Sequence, residues 1–265
     1  EARIEQGVFE RLSINSGWFK VPMEILRANH PSMVVHDFKA SFETPEHRVR
    51  FDRFDYDPLR AEGSIKGFEH RPRKDKKAFL DESFFQTNYM HTKIESLSFQ
   101  HWDADRFVND STIHLQIIRV QAPRLEIDRD KTHPFYSSKI KLLPTNAFQK
   151  LGMRFDVDSL QFRDGNIVYT EKSKVTSKEG SIHFTKVEGL VRNIKNIELE
   201  KHDTLFIRAA ARFLDSAKVD LRVRESYQDT LAGFLMTTQV SPFHTSILNP
   251  VLVPLVSVKF ESGFL

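Results

Sequence analysis

Cysteine is absent from the 265 residues. That excludes disulfides, thiolate catalysis and zinc sites built on thiolates, and it fits a cytosolic or a periplasmic address equally well. Polar aromatics are scarce: 5 Tyr and 2 Trp stand against 23 Phe. Phe carries no polar handle, so the bias favours dry surfaces. Long hydrophobic runs are lacking too. The longest, Ile247 to Val258, is broken by Asn249, Pro250 and Pro254, and it is too short to span a bilayer. Neither sign of charge dominates: 39 basic residues meet 36 acidic ones for a net +3. So small a surplus does not name nucleic acid as a partner.

Catalytic signatures are missing as well. The chain holds no G-x-S-x-G, no P-loop, no G-x-G-x-x-G and no D-x-D-x-D calcium loop. Its 11 histidines form no close ligand pair. His30 and His36 come nearest to strand-loop spacing, without a carboxylate cluster beside them. Asp103-Ala104-Asp105 and Asp128-Arg129-Asp130 have ligand-like spacing on one strand face, but turn chemistry and solubility explain them as well. No nucleophile sits beside a base, so neither enzyme activity nor a cofactor is expected. The basic stretch Glu69 to Lys77 contains no aromatics and reads as a solvated loop.

What is present is alternation. Val157 to Tyr169 alternates on either side of Asp164-Gly165, a strong short-range hairpin signal. A two-residue turn there would set Phe162 opposite Ile167 and Leu160 opposite Tyr169, all on one face. After a polar connection, Lys172 to Gly180, a third strand follows at Ser181 to Thr185. Asp203 to Phe213, Lys218 to Arg224 and Leu231 to Val240 alternate in the same way, and Val256 to Phe260 restarts a strand. Earlier strands are expected at Met33 to Phe42, at Arg48 to Tyr56 with a bulge, and at Ala61 to Phe68. Met23 to Arg27 is strand or short helix, and Phe79 to Tyr89 is ambiguous. Pro144 to Gly152 predicts a short helix, capped by Asn146 and ended by Gly152. The fold class is therefore mostly β, with about a dozen strands and few short helices.

Ile94-Glu95-Ser96-Leu97-Ser98-Phe99 is a close copy of Val157-Asp158-Ser159-Leu160-Gln161-Phe162. With the same downstream order, this points to a repeated β unit, about 91–145 and 153–200, inside one continuous segment 1–265. Glu1 to Gln6 is charged and has no signal-peptide pattern, while Phe264-Leu265 falls within an expected strand. The sequence is thus expected to be part of a longer protein, with any membrane anchor outside it.

Each alternating strand presents two or three apolar side chains on one face. Leaving a Val, Leu, Ile or Phe wet forfeits roughly 1.5–3 kcal/mol. About two dozen such residues sum to far more than the roughly 5–15 kcal/mol by which a domain is stable. The face must be covered, either by a second sheet or by a long, greasy ligand. Its residues are Leu160, Phe162, Ile167, Tyr169, Ile182, Phe184, Leu205, Ile207, Val219, Leu221 and Val223.

From about Lys141 onward the chain resembles the AsmA-like family of Gram-negative envelope proteins. Relatives of that family include TamB-type proteins and, more distantly, chorein-type lipid-transfer proteins. The resemblance is carried by LLPTNAFQKLGMRFDVDSLQFRDGNIVYTEK and GSIHFTKVEGLVRNI, then by the stretch from Asp215 to Leu265. It implies an elongated, curved and twisted antiparallel sheet forming a taco-like groove. It implies a periplasmic location, an inner-membrane anchor, and a role in moving phospholipid toward the outer membrane in envelope biogenesis. The implied partners are a phospholipid or other acyl-chain ligand and envelope proteins. The alternative is a β-sandwich module that scaffolds an envelope complex and binds no lipid.

Overall fold

Alternation carried over long stretches yields long strands, and the sheet they form is the protein's framework. The computed structural model describes residues 2–9, 12–17, 35–136, 142–228 and 233–265. The expectations for Met23 to Arg27, for His30 and for the start of the Leu231 strand lie outside those residues.

Twelve strands are hydrogen-bonded into one sheet. In chain order they are β1 (Ala2–Phe9), β2 (Leu12–Gly17), β3 (Val35–Glu43), β4 (His47–Asp57), β5 (Glu62–Pro72) and β6 (Asn88–Gln100). There follow β7 (Thr112–Asp130), β8 (Arg154–Lys172), β9 (Glu179–Lys195), β10 (Thr204–Phe213), β11 (Ala217–Ser226) and β12 (Phe234–Val240). From β3 to β12 every strand lies beside its neighbours in sequence, and β1 and β2 extend the β3 edge. The sheet does not close into a barrel. One pair departs from the expected antiparallel order: β7 and β8 run parallel, so the sheet is mixed. Their connection is a crossover containing the helix α3, as parallel pairing requires.

Four α-helices are described, α1 (Lys76–Asp81), α2 (Ala104–Asp110), α3 (Pro144–Gln149) and α4 (Asn249–Val256), with a short 3-10 turn, Thr245–Leu248, leading into the last. Helix α3 is the one expected from Pro144 to Gly152, but its ends differ. Pro144 opens the helix after Leu143 and Lys150 closes it, so Asn146 is interior and Gly152 lies beyond. Proline suits that first position because its missing N–H would have no partner there. The basic stretch from Glu69 is also not one loop: β5 continues to Pro72 and α1 starts at Lys76. Asp103 sits at a helix start, where its carboxylate accepts the Arg106 N–H at 2.9 Å. Val256 ends α4, and residues 257–260 are not strand. The only pairing beyond them is an isolated bridge from Phe264 to His244.

The largest correction concerns Asp164-Gly165. It is not a turn. Strand β8 runs through it, and Leu160, Phe162, Ile167 and Tyr169 pair with other strands instead of with each other. The same left-handed preference that makes Asp-Gly a turn signal is used for a β-bulge, with Asp164 at φ 54°. Gly165 is needed because a Cβ there would come within 3.0 Å of the Val187 side chain and carbonyl.

That bulge belongs to a line crossing six strands. Left-handed residues lie in register at Gly67 (φ 63°), Ala122 (φ 48°) and Asp164, and Lys186 (φ 50°) of β9 adjoins them, next to Val187, the partner of Gly165. Glu95 of β6 falls between the first two. At one end, β4 carries one more residue than β3 between Phe51 and Phe54, the bulge expected in that strand. At the other end, β9 carries one more than β10 between Thr185 and Glu188. Between these limits the pairings from β4 to β8 keep step, and β8–β9 slips at Gly165–Val187 and regains its register by Ile167–Phe184. Non-glycine residues in this conformation cost about 1–3 kcal/mol each and persist where the surroundings over-determine them. Bulges also bend strands and raise their twist. The inserted residue has a further effect: residues five apart across it, such as Phe162 and Ile167, stay on one face.

Candidate functional site

Following hydrogen-bonded partners from strand to strand reveals two apolar rows on one face. The first is Tyr56, Gly63, Phe99, Ile118, Leu160, Val191, Ile207, Val223 and Met236, one residue from each of β4 to β12. The second, two residues along, is Phe54, Ile65, Leu97, Val120, Phe162, Gly189, Ala209 and Leu221, and it ends at Thr238. With strands about 4.8 Å apart, nine strands make a band roughly 40 Å long.

Of the eleven residues named from sequence, five fall in these rows: Leu160, Ile207 and Val223 in the first, Phe162 and Leu221 in the second. Val219 continues the band one step along β11, opposite Ala211 and Val240. Ile167, Phe184, Tyr169 and Ile182 lie past the line of bulges, where Ile167 pairs with Phe184 and Tyr169 with Ile182. Ten of the eleven are half-buried. Leu205 alone is sealed, at 0% exposure. Its register partner Glu225 accepts hydrogen bonds from Thr145 N (3.1 Å) and Thr145 Oγ1, which seats α3 over that end of the face.

Helices cover parts of the margin and leave the middle. Trp102, leading into α2, packs edge-to-face on Tyr56 (4.7 Å) and Phe99 (5.8 Å). These join Leu115 and Val157 in the buried core. On the far side α4 lies against Gly180, where an added Cβ would meet Leu255 at 2.8 Å. Along the first row burial falls from Tyr56 and Phe99, both 7% exposed, through half-buried Leu160 and Ile207 to Met236 at 56%. The band is closed at one end and open toward β12.

The residues that sequence reasoning missed are those of β4 to β7. A usable signal was present, since Leu97 and Phe99 belong to the six-residue copy of the stretch holding Leu160 and Phe162. The two copies share a packing device. Phe99 lies across Gly63 of β5, and Phe162 lies across Gly189 of β9, each ring occupying the space a glycine Cβ would take. Strands β6 and β8 flank β7 and run in opposite directions, so the paired Leu and Phe positions are crossed: Leu97, Val120 and Phe162 share one row, Phe99, Ile118 and Leu160 the other.

Two tyrosines at the margins are tied down by hydrogen bonds. Tyr169 donates to Glu171 Oε2 at 2.7 Å, and burial, then that bond, pushes its phenol up to about 12. Tyr227, 4% exposed, donates to the Asn193 carbonyl at 2.5 Å and accepts from the Lys195 N–H at 3.1 Å. Burial pushes it up to about 12 as well, although the Lys195 bond opposes this. Both phenols therefore stabilise the fold in their neutral form. That contribution is present below about pH 10, the unfolded value, and is lost as pH rises toward 12. Denaturant titrations from pH 8 to 11.5 are expected to show a steepening loss of stability above pH 10. Tyr227→Phe should flatten part of it and, by orphaning buried partners, lower stability at pH 8 by about 1–3 kcal/mol.

Among the described residues no group of three or more His, Asp or Glu is placed to hold a metal, and no helix is long and apolar enough to cross a membrane. The fold and this face define an open β-sheet protein with a long, half-exposed apolar lining. No family model and no curated protein matches the chain.

Proposed function

We propose that the apolar band binds the acyl chains of phospholipid or a similar lipid, in the manner of the AsmA-like proteins that the second half of the sequence resembles. One observation carries the reading: two unbroken apolar rows cross an open sheet from β4 to β11, and among the described residues no second sheet covers them. A length of roughly 40 Å exceeds the roughly 30 Å hydrocarbon core of a bilayer. Such a band offers an extended acyl chain a continuous dry path. The mechanism is passive partition. Apolar side chains replace the bilayer interior at about 25 cal/mol per Å² of surface removed from water, and headgroups stay at the polar edge. No bond is made or broken, so the reading needs neither nucleophile nor cofactor.

In this reading the chain is a periplasmic segment of an inner-membrane-anchored protein and serves lipid movement between the two membranes in envelope biogenesis. The rival is a scaffolding module whose apolar face is covered by a partner protein. Native mass spectrometry of gently purified protein separates them. The lipid reading expects adducts at phospholipid masses that collisional activation removes. Lipid-free protein that instead carries a stoichiometric protein partner over this face would overturn it.

A further inference from the structure

The opposite face of β9 to β11 carries a feature that lipid binding in the band does not use. Arg208 and Arg222 are direct cross-strand partners, and Arg192 and Arg224 flank Phe206 in the adjacent row. All four are exposed. Like charges set directly opposite each other in a sheet are destabilising. Elsewhere in the sheet such charge is neutralised: Arg50 pairs with Glu69 at 2.5 Å and Arg53 with Asp55 at 2.6 Å. Among the described residues no carboxylate lies within ion-pair distance of these four arginines. The nearest acids on that face, Glu188 and Asp220, sit to one side, both opposite Ala210.

We infer that this surface docks on an anionic lipid bilayer, with the arginines engaging headgroup phosphates. The charge complementarity is specific in form. A guanidinium meets phosphate with paired, planar hydrogen bonds, and two opposed guanidiniums lose their mutual repulsion when a phosphate lies between them. The surroundings suit a membrane interface better than a nucleic acid. Apolar Leu190 and the 66%-exposed Leu235 adjoin the arginines, whereas the one aromatic ring, Phe206, is already covered by Arg224 at 5.9 Å and is not free to stack a base. Basic clusters of this kind hold proteins at anionic leaflets.

The test is flotation of the chain with vesicles of phosphatidylcholine alone and of phosphatidylcholine mixed with phosphatidylglycerol, at low and at several-fold higher salt. Binding is expected only to the anionic vesicles, falling as salt rises. Arg208→Ala with Arg222→Ala should weaken it at least tenfold while the thermal midpoint holds or rises, since a repulsion is removed. Arg192→Ala with Arg224→Ala is the second pair and should weaken it similarly. Equal binding to neutral vesicles, undiminished binding by both double variants, or tighter binding to a single-stranded oligonucleotide than to anionic vesicles would overturn the proposal. Leu221→Asp, on the other face, should float normally, which keeps this outcome separate from that of the apolar band.

Discussion

Gly189→Val is expected to destabilise the sheet strongly. Gly189 pairs with Phe162 on one side and Ala209 on the other. A Cβ at this position would collide with the Arg208 carbonyl, reach Phe162 Cζ at 2.6 Å and meet the Ala209 Cα at 3.0 Å. Two of those three obstacles are backbone and cannot rotate away. Relief requires β9 and β10 to part or Phe162 to leave its place in the second row. Overpacking of this kind costs about 1–3 kcal/mol, occasionally more, and backbone obstruction places Gly189→Val at the upper end. For a chain of this size that lowers the thermal midpoint by about 6–12 °C. Gly152→Ala is the control, with nothing within 4 Å of the new methyl. Its effect should stay within about 0.5 kcal/mol. Calorimetry showing equal midpoints for the two variants would contradict the close packing of Phe162 over glycine.

Leu221→Asp is expected to behave in the opposite way, folding normally while losing lipid. Leu221 is half-buried in the second row, between Ala209 and Thr238. A carboxylate there reaches water without displacing a core side chain, so the fold should lose no more than about 1 kcal/mol. An acyl chain, however, cannot lie against an unpaired charge without a desolvation cost of several kcal/mol. Lipid co-purifying with the variant should therefore drop at least tenfold. Leu205→Asp supplies the contrast. At 0% exposure, it puts a charge under α3 beside the buried Glu225, and it should unfold the chain outright. Circular dichroism and lipid extraction on both variants check the pair. If Leu221→Asp unfolds as readily as Leu205→Asp, the face is a closed core and not an open band.

These contrasts also show which parts of the design are legible in the sequence. Period-2 alternation in Thr204–Phe213 and Ala217–Ser226 is local, and it identified β10 and β11 and their inward-facing residues directly. Asp164-Gly165 is legible only in part. The pair announces a left-handed residue but not whether a turn or a bulge will use it. The choice is made with β7, whose own bulge at Ala122 carries no glycine and is marked only by the Pro123 that follows it, a residue that central strands admit at bulges. The parallel pairing of β7 with β8 is hidden for a related reason: among the described residues its crossover holds only the short α3, well under the length of a typical crossover helix. Leu205 was read as lining because alternation cannot report α3 settling over it through Thr145 and Glu225. The β4 to β7 half of the band was present as pattern, and the Phe99 copy was the one clue that joined it to the rest.

Site-specific photo-crosslinking across the first row tests the central claim most directly. A photoreactive side chain would replace Ile207 or Val223, on the apolar face, or Arg208 or Arg222, one residue away on the other face, in cells making the protein. The account predicts phospholipid adducts at 207 and 223 with few or none at 208 and 222 beyond headgroup-level labelling. Adducts to protein alone at 207 and 223, with no acyl-chain labelling there, would contradict it.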